Sequence, residues 1–430
     1  MEPALSLASY LTSAAVRWPQ ALAAHSAERQ WTYPEWQTRV SALAETIEAS
    51  RQALRVSGSS LDLASHAFAC SLKNRPFFPV DRNVRKLPLT DDKFPATSKS
   101  LPPDIAVLIA TSGSEGAARH VMLSDANLDA AAAAANRHLA LQAGDLWLDC
   151  LPLHHIGGLS ILWRCARAGA GILLHDGFVA ATVATALNRH PVSHLSLVPA
   201  MLAALLATGV RPPASLRHMV VGGAALPMDL YQRATAAGWP LNPSYGMSET
   251  AAQVATYTLA DGPWHEGLVG QPLGSNEFAL TADHRIRIRG PQVMAGYVEG
   301  GGVDADGWLT TGDLGEIDEN GRLTVTGRAD DMLISGGCNV HPLEVESCLA
   351  ACPGIRDSAV TGLPDETWGD LVVALIVGDA TAACIEDWCR ARLPAAARPR
   401  RIVHLAGLPR NATGKLERSA LRRLAREAAA

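Results

Sequence analysis

Short apolar runs punctuate the middle of the chain: Ile105–Ala110, Trp147–Leu151, Gly171–Leu174, His194–Val198 and His218–Val221. Between them lie Ala- and Leu-rich segments whose apolar residues return at helical spacing. Strands buried on both faces read as continuous apolar runs, and the crossovers between them read as amphipathic helices. This stretch therefore predicts an α/β fold of layered sheets and helices with a largely parallel sheet. Ahead of it, residues 31–50 open with a Thr-Tyr-Pro turn and continue with Trp36, Val40, Leu43, Ala44 and Ile47, a helical stripe. Residues 76–104 are rich in Pro, Asp, Lys and Ser and read as a long connection. After residue 300 the texture changes: Gly300-Gly301-Gly302, Asp306-Gly307, Asn320-Gly321 and Gly336-Gly337 punctuate short strands, as turns in a β-rich section do. From about residue 331 onward, strand, helix, strand and helix patterns fit a small α+β domain.

The 430 residues, 48% of them hydrophobic, are enough for a large core and exclude a disordered chain. At this length a split into a large and a small domain is expected. A net charge of −5 gives no overall attraction to nucleic acid, although Lys and Arg crowd the stretch from Arg390 to Arg426. Eight cysteines are too dilute for a disulfide scaffold, and Cys348/Cys352 with Cys384/Cys389 lack zinc-ribbon spacing, so they read as packing thiols in a reduced compartment. The N-terminus lacks a basic n-region, and no run approaches 18 apolar residues. The expectation is a cytoplasmic protein without membrane insertion.

Three loops follow apolar strands. The first, Ala110-Thr111-Ser112-Gly113-Ser114-Glu115-Gly116-Ala117-Ala118-Arg119, precedes a helix over Asn127–Arg137. Glycines let backbone N–H groups aim outward and the hydroxyls add donors, so the loop can cradle phosphate; a solvated turn is the alternative. It is not a Walker A loop, because no Gly-Lys-Ser/Thr ends it. The second is Leu151-Pro152-Leu153-His154-His155-Ile156-Gly157-Gly158. A condensation-enzyme signature is excluded by Leu159 and Ser160, which stand where Asp and Gly are required. Adjacent histidines at a strand end are expected to point in opposite directions. The third, Ser244-Tyr245-Gly246-Met247-Ser248-Glu249-Thr250, reads as a strand-to-helix turn. There Ser248 can hold a phosphate oxygen and Glu249 a magnesium ion, or the pair can cap a helix. Thr250 occupies the place of the second glycine of a serine-hydrolase elbow.

Later come Thr311-Gly312-Asp313, Gly327-Arg328-Ala329-Asp330-Asp331, Gly336-Gly337 and Pro409-Arg410-Asn411-Ala412-Thr413-Gly414-Lys415. In order and spacing, these stretches together resemble the adenylate-forming (AMP-binding) superfamily, over residues 31–425. The resemblance is strongest to its acyl- and aryl-CoA synthetase branch. It implies a large AMP-binding, acid-activating domain over residues 1–329 and a mobile α+β domain over 330–430, with Asp330 as hinge. It further implies that ATP and a small carboxylic acid form an acyl-adenylate and that CoA then displaces AMP. By the same resemblance, Lys415 bridges the carboxylate and the α-phosphate, and Glu249 holds Mg2+. Thr111, Ser112, Gly113, Ser114, Gly116, Arg119 and Ser248 meet the phosphates. Gly222, Gly223, Ala224, Tyr245 and Gly246 flank the adenine side. Asp313 takes the ribose hydroxyls with Arg328 beside it, His155 gates the acyl pocket, and Gly336 and Gly337 leave room for the pantetheine arm.

The phosphate loop departs from the family pattern: Glu115 replaces a threonine, Ala118 a proline and Arg119 a lysine. The charge of Arg119 is retained, whereas Glu115 sets a carboxylate near a triphosphate. The segment Leu151–Gly158 contains no aspartate for an amino-acid substrate, and with Trp163 and Arg164 downstream it is similar to the o-succinylbenzoate-CoA ligases of menaquinone synthesis. The alternatives are a stand-alone adenylation enzyme that loads a phosphopantetheinyl carrier protein, and a non-catalytic nucleotide-binding protein. Retention of Glu249 and Lys415 argues against the last. A homodimer is the candidate assembly.

Overall fold

Six parallel strands form the spine of the structure, a computed structural model that describes residues 5–27, 29–82, 101–111, 119–410 and 416–428. In spatial order they are Leu241–Met247, His218–Val221, His194–Leu197, Leu146–Asp149, Gly171–Leu174 and Leu22–His25. Antiparallel strands Ala252–Thr256 and Gln30–Thr32 close the two edges. The three strands Leu146–Asp149, Gly171–Leu174 and His194–Leu197 are buried at every residue, as their unbroken apolar character requires. Alternation divides their side chains between two helical layers. Leu148, Leu195 and Met219 pack with helices Ala180–Arg189, Pro199–Ala207 and Met228–Ala236. Trp147, Ile172 and Val220 face the layer that contains helices Leu7–Arg17, Tyr33–Ala44, Asp125–His138 and Ile156–Ala168.

The helix expected from the Trp36 stripe runs Tyr33–Ala44 and buries Tyr33, Trp36, Val40 and Ala44; Ile47 is buried beyond its end. A second sheet orders Gly296–Tyr297, Arg119–Ser124, Ile105–Thr111, Phe77–Pro79 and Leu54–Val56. The strand Phe77–Pro79 corrects the expectation of a connection over residues 76–104. Its Phe77 and Phe78 are fully buried between paired neighbours, an aromatic signal that the surrounding prolines obscured.

The β-rich section is a five-stranded antiparallel sheet of Leu268–Gly270, Leu323–Arg328, Leu309–Ile317, Arg285–Arg289 and Glu277–Leu280. It begins well before residue 300. Arg285-Ile286-Arg287-Ile288-Arg289 buries only its two isoleucines, the alternation of a strand with one wet face.

The fourth sheet belongs to the C-terminal region. The hairpin Ile355–Asp365 and Gly369–Gly378 is extended by Leu333–Ser335 and Cys338–Val340, with Arg401–His404 parallel to its second strand. Val372, Ala374 and Ile376 pack in the core shared with helices Pro342–Ala350 and Ala382–Arg392. Val373 and Leu375 turn the other way, into the core shared with helix Arg418–Glu427.

Candidate active site

Several expected site residues sit at or beyond the carboxyl ends of parallel strands, where open α/β sheets bind ligands. Leu146–Asp149 leads to His155, His218–Val221 leads to Gly222, Gly223 and Ala224, and Leu241–Met247 contains Tyr245 and Gly246 and leads to Ser248 and Glu249. No helix follows Glu249, contrary to the strand-to-helix expectation. Ser248–Thr250 is a single 3-10 turn, and the chain returns antiparallel through Ala252–Thr256. The return is tight enough that a Cβ at Gly246 would lie 2.0 Å from the Ala252 carbonyl oxygen, so only glycine fits. Ala251 and Ala252 take φ values of 51° and 102°, and the Thr250 hydroxyl donates to the Ala252 carbonyl at 2.8 Å. Such backbone conformations cost about 1–3 kcal/mol each and persist where surrounding bonds fix them.

The strain presents Glu249. Its Oε1 accepts from the Tyr297 hydroxyl at 2.9 Å, and its carbonyl accepts from the Met294 N–H at 2.8 Å. Burial and the negative charge of Glu249 push the Tyr297 phenol up, so it stays a donor. The Arg119 guanidinium lies 3.4 Å from the Tyr297 ring centroid and donates to the Gly300 carbonyl at 3.0 Å. Strand Gly296–Tyr297 pairs with Met122 and Val121, and Thr111 pairs with Arg119. Thr111 and Arg119, which flank the expected phosphate loop, thereby share one sheet with Tyr297, the hydrogen-bond partner of Glu249. Ser112, Gly113, Ser114, Glu115, Gly116 and Ala118 lie outside the described residues. Asn127 supports the same assembly: it completes the capping box of helix Asp125–His138, and its amide donates to the Pro291 and Val293 carbonyls at 2.9 and 2.8 Å.

A second group surrounds Asp313. Tyr245, expected beside the adenine, donates its hydroxyl to Asp313 Oδ2 at 2.7 Å, and Arg328 donates to Oδ1 at 2.9 Å. The other Arg328 nitrogen reaches Asp330 at 3.0 Å, so one guanidinium joins Asp313 to the turn Ala329–Asp331. Gly222 packs against Ser244, the neighbour of Tyr245.

His154 and His155 do not point apart. They occupy a turn, with ring centroids 4.3 Å apart, because the His155 N–H bonds back to the Pro152 carbonyl before entering helix Ile156–Ala168. Burial lowers the pKa of the His154 imidazole. Behind them Asp149 is buried, accepts from the Leu151 N–H at 3.1 Å and has its carboxyl pKa pushed well up by burial. Arg164 is buried too, with its guanidinium 5.4 Å from the Trp147 ring centroid.

In the C-terminal region, Gly336 and Gly337 form the hairpin turn between Leu333–Ser335 and Cys338–Val340, with φ values of 57° and 76°. Lys415 lies outside the described residues. Its described flanks, Arg410 and Leu416, form an antiparallel bridge. Next to it, Arg418 pairs with Asp331 at 3.3 Å and with Glu346 at 2.7 Å. Sequence reasoning passed over Tyr297, Glu346 and Arg418. Glu346 ends the run Glu344-Val345-Glu346 shortly after Gly336-Gly337 and was open to detection, whereas Tyr297 gains its place only through strand pairing.

Comparison with known proteins bears on the family and the fold. The AMP-binding enzyme family profile matches residues 71–298, and the profile of the AMP-binding enzyme C-terminal domain matches residues 344–415. The chain is 36% identical over 332 residues to 2-succinylbenzoate–CoA ligase of Bacillus subtilis, covering 74% of this chain and 68% of that protein. Its fold resembles that of o-succinylbenzoate CoA synthetase (MenE) from Bacillus subtilis, solved with the acyl-adenylate intermediate OSB-AMP. The TM-score is 0.85 at 28% identity, over 96% of this chain and 97% of the other. ATP-bound MatB from Rhodopseudomonas palustris, 22% identical with a TM-score of 0.85 over 98% and 99% of the two chains, shares the fold. With both family profiles matched in order and a relative 36% identical over most of its length, the chain belongs to the AMP-binding enzyme family.

Proposed function

We propose that this chain is an AMP-forming 2-succinylbenzoate–CoA ligase. It joins the carboxylate of o-succinylbenzoate to the α-phosphate of ATP with release of pyrophosphate, then transfers the acyl group to the thiol of CoA with release of AMP. The observation that carries this reading is the 36% identity to a 2-succinylbenzoate–CoA ligase across 332 residues, on a fold that matches the OSB-AMP complex of such an enzyme.

The residues present fit the required magnesium ion. Among the described residues no group of three or more His, Cys, Asp or Glu side chains is placed to form a metal cage. Mg2+ in nucleotide sites needs none, because it takes one or two carboxylates and completes its shell with phosphate oxygens and water. Glu249, oriented by Tyr297, supplies that carboxylate, and the ion when bound offsets triphosphate charge. Arg119 and the Thr111–Arg119 loop position the phosphates, and Asp313 accepts from the ribose hydroxyls. Lys415 places a compact positive charge between two anions that otherwise repel, which is the main barrier to in-line attack. His155 borders the acyl pocket.

Both half-reactions use one cleft, and Lys415 must leave it before a thiol enters. We therefore assign residues 330–430 as a domain that swings about Asp330, bringing the Gly336-Gly337 turn toward the acyl carbon. The test incubates the protein with ATP, Mg2+ and a panel of acids, with CoA or a phosphopantetheinyl carrier protein as acceptor, and reads the products by mass spectrometry. The expected product is o-succinylbenzoyl-CoA. Preference for another acid, or acylation of the carrier protein alone, overturns the assignment, and absence of pyrophosphate release with every acid makes the chain non-catalytic.

A further inference from the structure

Four of the five cysteines after Asp330 meet at one place, although they are spread over some forty residues of chain. Cys348 lies in the last turn of helix Pro342–Ala350 and Cys352 two residues past its end; Cys384 and Cys389 lie on helix Ala382–Arg392. The helices run antiparallel across the same face of the sheet. Cys352 therefore neighbours Cys384, and Cys348 neighbours Cys389, each pair close enough for one thiol to influence the ionisation of the other. Both rungs are pinned from outside. At one end the Gly354 carbonyl accepts from Asp379 and Ala380 N–H at 2.8 and 3.2 Å, which holds the residues after Cys352 against the start of the second helix. At the other, the Trp388 indole donates to the Cys348 carbonyl at 2.9 Å. All four thiols are free, and among the described residues no cluster is arranged to hold a metal.

The rungs differ in access. Cys384 is exposed, whereas Cys352 is 3% exposed and Cys389 1%. Burial, together with the neighbouring thiol, pushes Cys352 up to about 11 and Cys389 up to about 12, so both stay protonated. An oxidant therefore meets Cys384 first.

We propose that Cys384 and Cys352 form a reversible oxidation site, in which a hydroperoxide converts the outer pair to an intramolecular disulfide. The Cys384 sulfur attacks the peroxide O–O bond and becomes a sulfenic acid, while the peroxide is reduced to water or an alcohol. The Cys352 sulfur, losing its proton, then attacks the sulfenic sulfur, and hydroxide leaves with that proton as water. One S–S bond replaces two S–H bonds for each peroxide reduced. The pairing diverts an exposed thiol from irreversible sulfinic acid to a product that thiols reverse. This inference does not depend on the ligase assignment.

The full-length protein is treated with hydrogen peroxide, its remaining thiols are alkylated, and it is digested without reductant for mass spectrometry. The expected dominant product is a peptide pair joined through Cys352 and Cys384, erased by dithiothreitol and absent in Cys384→Ser, whose substitution at an exposed position leaves the core intact. In Cys352→Ser, sulfinic acid at Cys384 should rise several-fold. Sulfinic acid at Cys384 as the main wild-type product, a first disulfide between Cys348 and Cys389, or cross-links between chains through Cys338 would each overturn the proposal.

Discussion

Glu249 and Asp313, in the N-terminal region, are each held from two sides: Glu249 by the Tyr297 hydroxyl and the Met294 amide, Asp313 by Tyr245 and Arg328. In the C-terminal region the described residues that flank Lys415 are held through the Arg410–Leu416 bridge, the Glu417 N–H on the Pro409 carbonyl and Arg418 on Asp331 and Glu346. The contrast follows from what each group must do under the proposed function. An acceptor that orients nucleotide works best pre-placed, since reorganisation at the moment of reaction is costly. A cation needed in only one of two half-reactions has to be delivered and withdrawn, so its anchor belongs on the body that we propose to move. Arg328 spans the two regimes, with one nitrogen on Asp313 and another on Asp330.

The largest expected effect breaks the delivered half. Lys415→Ala should lower acyl-adenylate formation by about 10²–10³-fold, the range for removing one group that stabilises transition-state charge. Thioester formation from supplied acyl-adenylate should stay nearly intact, and equal loss in both assays would remove Lys415 from that role. The mirror experiment locks the body proposed to move. Asp330→Pro fixes φ near −65° and restricts Ala329. Adenylation should persist while most thioester formation disappears; wild-type rates in both would make Asp330 an ordinary turn residue.

A smaller effect tests the clamped half. Tyr297→Phe removes the hydroxyl that orients Glu249, and a hydrogen bond to a charged group is worth about 1.5–3 kcal/mol. The Mg2+ concentration for half-maximal pyrophosphate release should rise roughly tenfold or more, with thioester formation from supplied acyl-adenylate unchanged. An unaltered Mg2+ requirement would separate Tyr297 from the metal site.

The smallest effect concerns acid sensitivity, which the sequence distributes unevenly: twelve of the fourteen histidines precede Asp330. Burial holds His194 at about 4, below the ordinary 6.5. Between those values the native state binds fewer protons than the unfolded chain, so its contribution is complete above pH 6.5 and declines as pH falls toward 4. From pH 7.5 to 5 the loss is about 2 kcal/mol. Hydrogen exchange in strand His194–Leu197 should accelerate over that interval, and His194→Gln should flatten the dependence. Equal acceleration in the variant would place the acid-sensitive group elsewhere.

Much of this architecture was legible because burial leaves a mark on composition. Strands covered on both faces, such as Gly171–Leu174, announce themselves as apolar runs, and the ordered motifs identified the superfamily. Contacts that depend on partners far along the chain left no local mark. Nothing around Tyr297 indicates that its hydroxyl meets Glu249, which is set by pairing between residues 296–297 and 121–122. The expectation for His154 and His155 failed for a related reason: alternation holds only while the backbone stays extended, and this segment has already turned. The cysteines read as dispersed packing thiols because only the antiparallel approach of two helices makes them neighbours.

Trp147, His194 and His218 occupy directly opposed positions on three adjacent parallel strands, with ring centroids 5.0 and 5.3 Å apart and interplanar angles of 26°. A one-residue slip of the middle strand would bring Leu195 onto the ring face and drive His194 into the leucine layer opposite, away from the Ser193 hydroxyl and the Leu139 carbonyl that its nitrogens meet at 2.9 Å. Parallel pairings between distant segments form late and offer near-equivalent offsets while they do, since leucine runs match almost as well one step out of place. Three aromatic rings that overlap in a single alignment give the folding chain a vernier: the sheet's polar interior is what tells its strands where to stop.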